Sequence, residues 1–197
     1  MKTDEVISVF MKAQILKSLQ RTGWATAGVH GSVIESVADH TYGTTFISLI
    51  LANLLKAEGV AVDLEKTLTM AVLHDLGERV VSDVPSSSDA TDSESFGDAK
   101  TALEARAVAS ILSPLEDLGV TLQSCWAELQ QGRSMEARIV RSSDLLDMLV
   151  HAITLERSGV DSEILEGFFE TSEKRLEEMG IGLTLEVYRL LEDIHRK

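Results

Sequence analysis

The chain has 197 residues, 44% of them apolar and 25% charged, which suffices for one buried core and is too apolar for wholesale disorder. Thirty-two acidic residues against eighteen basic ones leave a formal charge of −14. That charge disfavours a nucleic-acid polymer or an anionic membrane surface as partner, whereas a bound dication can reverse the field locally for a small anionic substrate.

Two prolines, few aromatics and abundant Leu, Ala, Glu and Met predict an all-α fold. Residues 3–20 place Val6, Val9, Phe10, Ala13, Leu16 and Leu19 at helical spacing. RTGWATAGVHGSVIES, residues 21–36, reads as irregular. A helix over 37–56 is apolar on most sides and therefore central, with Gly59 as its stop. Asp63 is the expected N-cap of a helix running to about Glu78, although Lys66 leaves its capping box incomplete. Residues 84–98 are poor in apolar side chains and read as a mobile loop. Further helices are expected near 99–112, 114–131, 134–157, 162–179 and 183–195, with Gly159, Gly180 and Gly182 punctuating the last three. No repeat interrupts this pattern, so one domain spans 1–197, with a core at 21–157 and a C-terminal helical extension at 158–197.

The lone cysteine, Cys125, excludes an internal disulfide, fits a reducing compartment and reads as a small buried residue. No run reaches the roughly 18 apolar residues of a spanning helix, so the expectation is a soluble, cytoplasmic protein.

Of the five histidines, His74 stands beside Asp75, His40 lies early in the preceding helix, and Asp144 lies on a later one. Two imidazoles and two carboxylates make a mixed nitrogen and oxygen set suited to one Mn, Co, Fe, Ni or Zn ion, with coordination positions left for water and substrate. Each residue also has an ordinary reading. His40 alone would be a satisfied buried histidine, and Asp144 a polar neighbour of Ser142 and Ser143. Asp147, three residues on, shares nearly the same face and competes for its role. His30, His151 and His195 have no companions that suggest chemistry.

RTGW (Arg21 to Trp24), ESVADH (Glu35 to His40), HDLGE (His74 to Glu78), SDV (Ser82 to Val84), Lys100 with Glu104, and EARIVRSSDLLDM (Glu136 to Met148) occur in one order. Over about residues 10–157 this order resembles the HD-domain metal-dependent phosphohydrolases, in the branch that contains the 5′-deoxynucleotidases. The resemblance implies an all-α bundle and one divalent metal held by His40, His74, Asp75 and Asp144. It also implies hydrolysis of deoxyribonucleoside 5′-monophosphates to nucleoside and phosphate, and a homodimer. Carried over by position, Glu78 would hold or deprotonate the attacking water, and Asp83 would protonate the departing sugar oxygen. Arg21 would meet the phosphate, Trp24 would pack on the sugar, and Lys100 would assist with phosphate. The competing readings are a helix-end Glu78 paired with Arg79, a merely solvated Asp83 or Lys100, and a core Trp24. Thr22 and Gly23 separate an arginine and tryptophan that adjoin in some members, and Ile34 stands where proline often precedes the ESVADH run.

Two other activities fit the same residues: hydrolysis of a triphosphate, cyclic dinucleotide or other phosphorylated metabolite, and metal-dependent regulation without turnover. The apolar face of Ile164, Leu165, Phe168 and Phe169 is a candidate for either intramolecular core or dimer interface.

Overall fold

Nine α-helices and two short 3-10 turns make up the described residues, with no strand among them beyond an isolated bridge between Gln20 and Ser36. The structure, a computed structural model, describes residues 3–30, 34–78 and 93–197, excepting the side chains of 93–98. Helix α1 (Thr3–Ala13) tightens into a 3-10 turn at Gln14–Lys17, where a continuous helix was expected. The Ser18 N–H and hydroxyl both return to the Ile15 carbonyl at 3.0 Å, and this competition ends the α-register early. Within the segment expected to be irregular, Thr22–Ala27 forms a short helix, α2, closed by Gly28 at φ 100°.

Helix α4 (Leu64–Leu73) follows its expected cap, with Asp63 accepting from the Lys66 N–H at 3.1 Å; helix α3 (Val37–Ala57) is capped by Ser36, which accepts from the Asp39 N–H at 3.1 Å. Helix α4 ends sooner than expected, and residues 74–77 form tight turns. Gly77 supplies the reason, since a Cβ there would sit 3.0 Å from the Glu104 Cβ and 3.2 Å from its carbonyl oxygen. The chain leaves the helix where it is pressed against the next one.

That next helix, α5 (Ser93–Leu112), begins inside the expected loop, so the loop reading of 84–98 is corrected at 93–98. Extending an existing helix costs far less than nucleating one, and polar residues can therefore continue the Ala-rich segment backwards. Helices α6 (Asp117–Gln131), α7 (Met135–Arg157), α8 (Ser162–Met179) and α9 (Gly182–His195) lie close to their expected bounds.

The main core joins α3 to α7, with Leu51, Ala52 and Leu55 packed among Leu145, Leu149 and Ala152; α8 and α9 close over it through Leu165, Phe169, Leu176 and Tyr188. Leu165 and Phe169 thus belong to the intramolecular core. A second cluster ties α1, α5 and α6 to the end of α4 through Val9, Ile111, Trp126 and Leu73. Helix α3 is central on one side only. Tyr42, Phe46, Ile50 and Leu54 follow one another at four-residue spacing on its exposed side, and no charged residue occurs from 41 to 55. No helix among the described residues is long and apolar enough to cross a membrane.

Candidate metal centre

The ESVADH run is a brace that places His40. Ser36 caps α3, and the Asp39 carboxylate takes the Ser36 N–H at 3.0 Å and its hydroxyl at 2.7 Å in return. Ahead of the cap, the Arg21 N–H donates to the Glu35 carbonyl at 3.1 Å and the Val37 N–H to the Leu19 carbonyl at 2.8 Å. The Glu35 carboxylate accepts from the Trp24 indole at 3.1 Å. His40 follows in the first turn, fully buried.

An ionised carboxylate only accepts, so His40 Nδ1 donates to Asp147 Oδ2 at 2.8 Å. His40 Nε2 then faces Asp144 Oδ1 at 3.0 Å and Asp75 Oδ2 at 3.7 Å. The two acids three residues apart on α7 therefore take opposite nitrogens of one ring. Gly43 makes room for this: a Cβ there would lie 1.9 Å from Asp147 Oδ1.

His74, at the end of α4, donates Nδ1–H to the Ala71 carbonyl at 2.7 Å and turns Nε2 toward Asp75 Oδ2 at 3.2 Å. That Nε2 is buried and makes no hydrogen bond. With the proton on Nδ1, Nε2 presents a bare lone pair, the form in which imidazole ligates a metal. Ligand atoms of His40, His74 and Asp75 all lie within 4.8 Å of one another. Asp144 lies outside that set and approaches it at His40 Nε2, 3.0 Å from its Oδ1. A second such group, Glu35 with His40 and Asp147, uses the ring nitrogen already bonded to Asp147 and a glutamate already bonded to Trp24. The first group is the one that fits a divalent transition metal.

The electrostatics point the same way. Burial and the nearby Arg21 charge oppose protonation of His40, yet hydrogen bonds to Asp144 and Asp147 outweigh them and push its pKa up to about 10. Burial would raise Asp75 and Asp144. The charges around Asp75, Arg21 among them, and the His40 hydrogen bond at Asp144 hold both well below the usual carboxylate range instead. The pocket holds positive charge tightly.

A cleft of about 400 Å³ opens over this cluster. Arg21, Glu78, Lys100, Arg141 and Arg175 line it, together with Leu145, Met148 and Phe168. Arg21 Nη1 lies 3.3 Å from Asp75 Oδ2, and Lys100 Nζ lies 3.6 Å from Glu104 Oε1. Glu78 is buried, and its N–H donates to the Asp75 carbonyl at 3.1 Å. Glu78 and His74 thus reach one cleft across tight turns, without the continuous helix expected between them.

Trp24 is 2% exposed and lies behind the cleft wall, its ring 4.6 Å from that of Phe168. Phe168, expected only as part of an apolar stripe, is the aromatic ring that reaches the cleft. Asp83 lies outside the described residues. His195 does have companions: its ring stacks on Phe169 at 4.0 Å, Nε2 meets Glu166 at 2.8 Å, and Nδ1 meets Glu156. Gly43 is the residue that sequence reasoning missed. A glycine inside a 21-residue helix costs about 1 kcal/mol against alanine, which was the available sign of a close approach there.

The family model described as HD domain matches residues 13–180. A 5′-deoxynucleotidase of Dictyostelium discoideum is 31% identical over 163 residues, 80% of this chain and 82% of the relative. Its counterpart in Danio rerio is 28% identical over 80% of this chain and 73% of the relative. Among solved structures, a Pyrococcus horikoshii protein is 33% identical with a TM-score of 0.75, covering 96% of this chain and 98% of its own. An HD-domain phosphohydrolase of Listeria innocua, 18% identical with a TM-score of 0.73 over 98% of this chain and 90% of its own, shares the fold. With the family match running across most of its length and the histidine and aspartate side chains gathered at one focus, this chain belongs to the HD-domain family.

Proposed function

We propose that this protein is a metal-dependent phosphomonoesterase that converts deoxyribonucleoside 5′-monophosphates to nucleoside and inorganic phosphate. The observation that carries the reading is a bare His74 Nε2 grouped with His40 and Asp75 at the floor of a cleft rimmed by cations, in a chain of net charge −14. Related 5′-deoxynucleotidases supply the substrate class.

His40, His74, Asp75 and Asp144 would hold the ion. When bound, a divalent ion supplies Lewis acidity toward a phosphoryl oxygen and makes water more acidic near neutral pH. Uncatalysed monoester hydrolysis needs accelerations of up to about 10²¹, far beyond the roughly 10²–10⁴ of one acid–base group, so chain and ion must share the task. Glu78, buried beside Asp75, holds and deprotonates the attacking water. Arg21 sets a guanidinium at the edge of the cluster, where phosphoryl charge collects. Asp83 is the proposed donor to the departing sugar oxygen, and Lys100 adds positive charge at the rim. Phe168 and Met148 form the apolar wall for the nucleoside, with Trp24 supporting Phe168 from behind.

We further propose that the protein works as a homodimer that covers the α3 stripe. A second acidic copy would be repelled over most of the surface, and the charge-free run 41–55 offers an apolar contact without that repulsion.

The direct test is phosphate release from ribo- and deoxyribonucleoside monophosphates, triphosphates and cyclic dinucleotides, each with Mn, Co, Fe, Ni or Zn. The reading expects turnover of deoxyribonucleoside 5′-monophosphates above all others. Preference for triphosphates or cyclic dinucleotides would replace the substrate assignment. Inertness across the metal-loaded panel would leave a metal-binding regulator.

A further inference from the structure

Two of the arginines that line the cleft, Arg21 and Arg141, stand in opposite electrostatic situations. Arg21 has Nη1 3.3 Å from Asp75 Oδ2, so part of its charge is already spoken for inside the cluster. Arg141 lies on α7 three residues before Asp144, one helical turn away on the same face, and also lines the cleft. Among the described residues it has no carboxylate partner within ion-pair distance. It is half-buried.

Its position is built. Helix α6 ends at Gly132 in the left-handed region, φ 66°, whose N–H closes onto the Glu128 and Leu129 carbonyls at 3.3 and 3.0 Å. A Cβ on Gly132 would stand 2.2 Å from Arg141 Nη1 and 3.3 Å from its Cζ. The guanidinium therefore rests over the bare Cα of the glycine that terminates α6. Any other residue at 132 would be strained by its backbone and would also displace the arginine.

We propose that Arg141, seated on Gly132, binds the phosphoryl group of the substrate and retains the phosphate product in the cleft that Arg21 also lines. This rests on the phosphomonoesterase reading and adds a residue to it. A planar fork with no carboxylate partner among the described residues presents two parallel N–H donors to two phosphoryl oxygens, which an ammonium in the same place cannot reproduce. Arg175 lines the same cleft from α8 but is exposed and has no such seat, so it contributes field without fixed geometry.

The test measures binding of inorganic phosphate to the metal-loaded protein by titration calorimetry, alongside metal stoichiometry and steady-state kinetics. Arg141→Gln should weaken phosphate binding roughly 10- to 100-fold, the loss expected for a charged hydrogen bond, with metal content unchanged. KM should rise, and Arg141→Lys should restore only part of the affinity. Arg175→Gln should lose markedly less. Gly132→Ala, checked for folding by circular dichroism, should weaken phosphate binding although residue 132 bears no charge. Equal losses at positions 141 and 175 would reduce the effect to general attraction and overturn the proposal, as would undiminished phosphate binding by Arg141→Gln in a wild type that binds it. A wild type that takes up metal yet neither binds phosphate nor hydrolyses any monoester would remove the phosphomonoesterase reading and this inference together.

Discussion

His40 Nδ1 lies 2.8 Å from Asp147 Oδ2, and through that bond α7 orients the ring of the proposed ligand carried by α3. The carboxylate holds the proton on Nδ1 and aims Nε2 at Asp75 and Asp144. Asp147→Asn keeps the volume and removes the charge. Metal affinity, measured by competition with a chelating dye, should fall about 10- to 100-fold with little change in helix content. Affinity within twofold of wild type would show that burial alone orients the ring.

Gly43 tests the same contact from the opposite side. A Cβ 1.9 Å from Asp147 Oδ1 cannot be accommodated without moving the carboxylate. Although alanine favours helix over glycine, Gly43→Ala should destabilise the protein by about 1–3 kcal/mol in urea unfolding and also weaken metal binding. A stabilised variant with normal metal affinity would contradict the packing described.

The helices were largely legible because their signals are local. Asp63 capped its helix as expected, and the apolar periodicity of 162–179 matched α8. What escaped the sequence depends on partners far along the chain. Gly77 ends α4 against Glu104, and Gly43 admits Asp147 from a helix a hundred residues later. At the site, His40, His74, Asp75 and Asp144 were named from spacing and resemblance. Asp144 and Asp147 fall on nearly one helical face, and only the fold shows that they meet opposite nitrogens of the His40 ring. Trp24 was placed against the sugar, but its indole bond to Glu35 draws it behind Phe168.

His195 gives the fold a pH dependence independent of the metal. Burial opposes its charge, but hydrogen bonds to Glu166 on α8 and Glu156 on α7 prevail, and its pKa is raised above 6.5. A raised folded value means that its stabilisation is complete below about pH 6.5 and is lost as pH rises through the folded pKa. The stability gap between wild type and His195→Gln, from urea unfolding at pH 6 and pH 9, should therefore narrow at the higher pH. A gap that widens at pH 9 would reverse the assignment.

The apolar stripe on α3 predicts an association equilibrium. Tyr42 is 73% exposed and its ring stacks 6.4 Å from that of Phe46. Light scattering should give twice the chain mass for wild type and the single-chain mass for Phe46→Glu with Ile50→Glu. A wild type that stays monomeric at tens of micromolar would leave the stripe without the second copy proposed for it.

The decisive measurement is metal stoichiometry by elemental analysis after loading with Mn or Co and removal of excess ion, for wild type, Asp75→Ala, Asp144→Ala and Glu78→Gln in parallel with phosphate release. One ion per chain is predicted for wild type and for Glu78→Gln, the latter turning over about 10²–10⁴-fold more slowly. Little ion and no activity are predicted for Asp75→Ala and Asp144→Ala. Full metal content and normal turnover in Asp75→Ala would contradict the assignment of this cluster as the reaction centre.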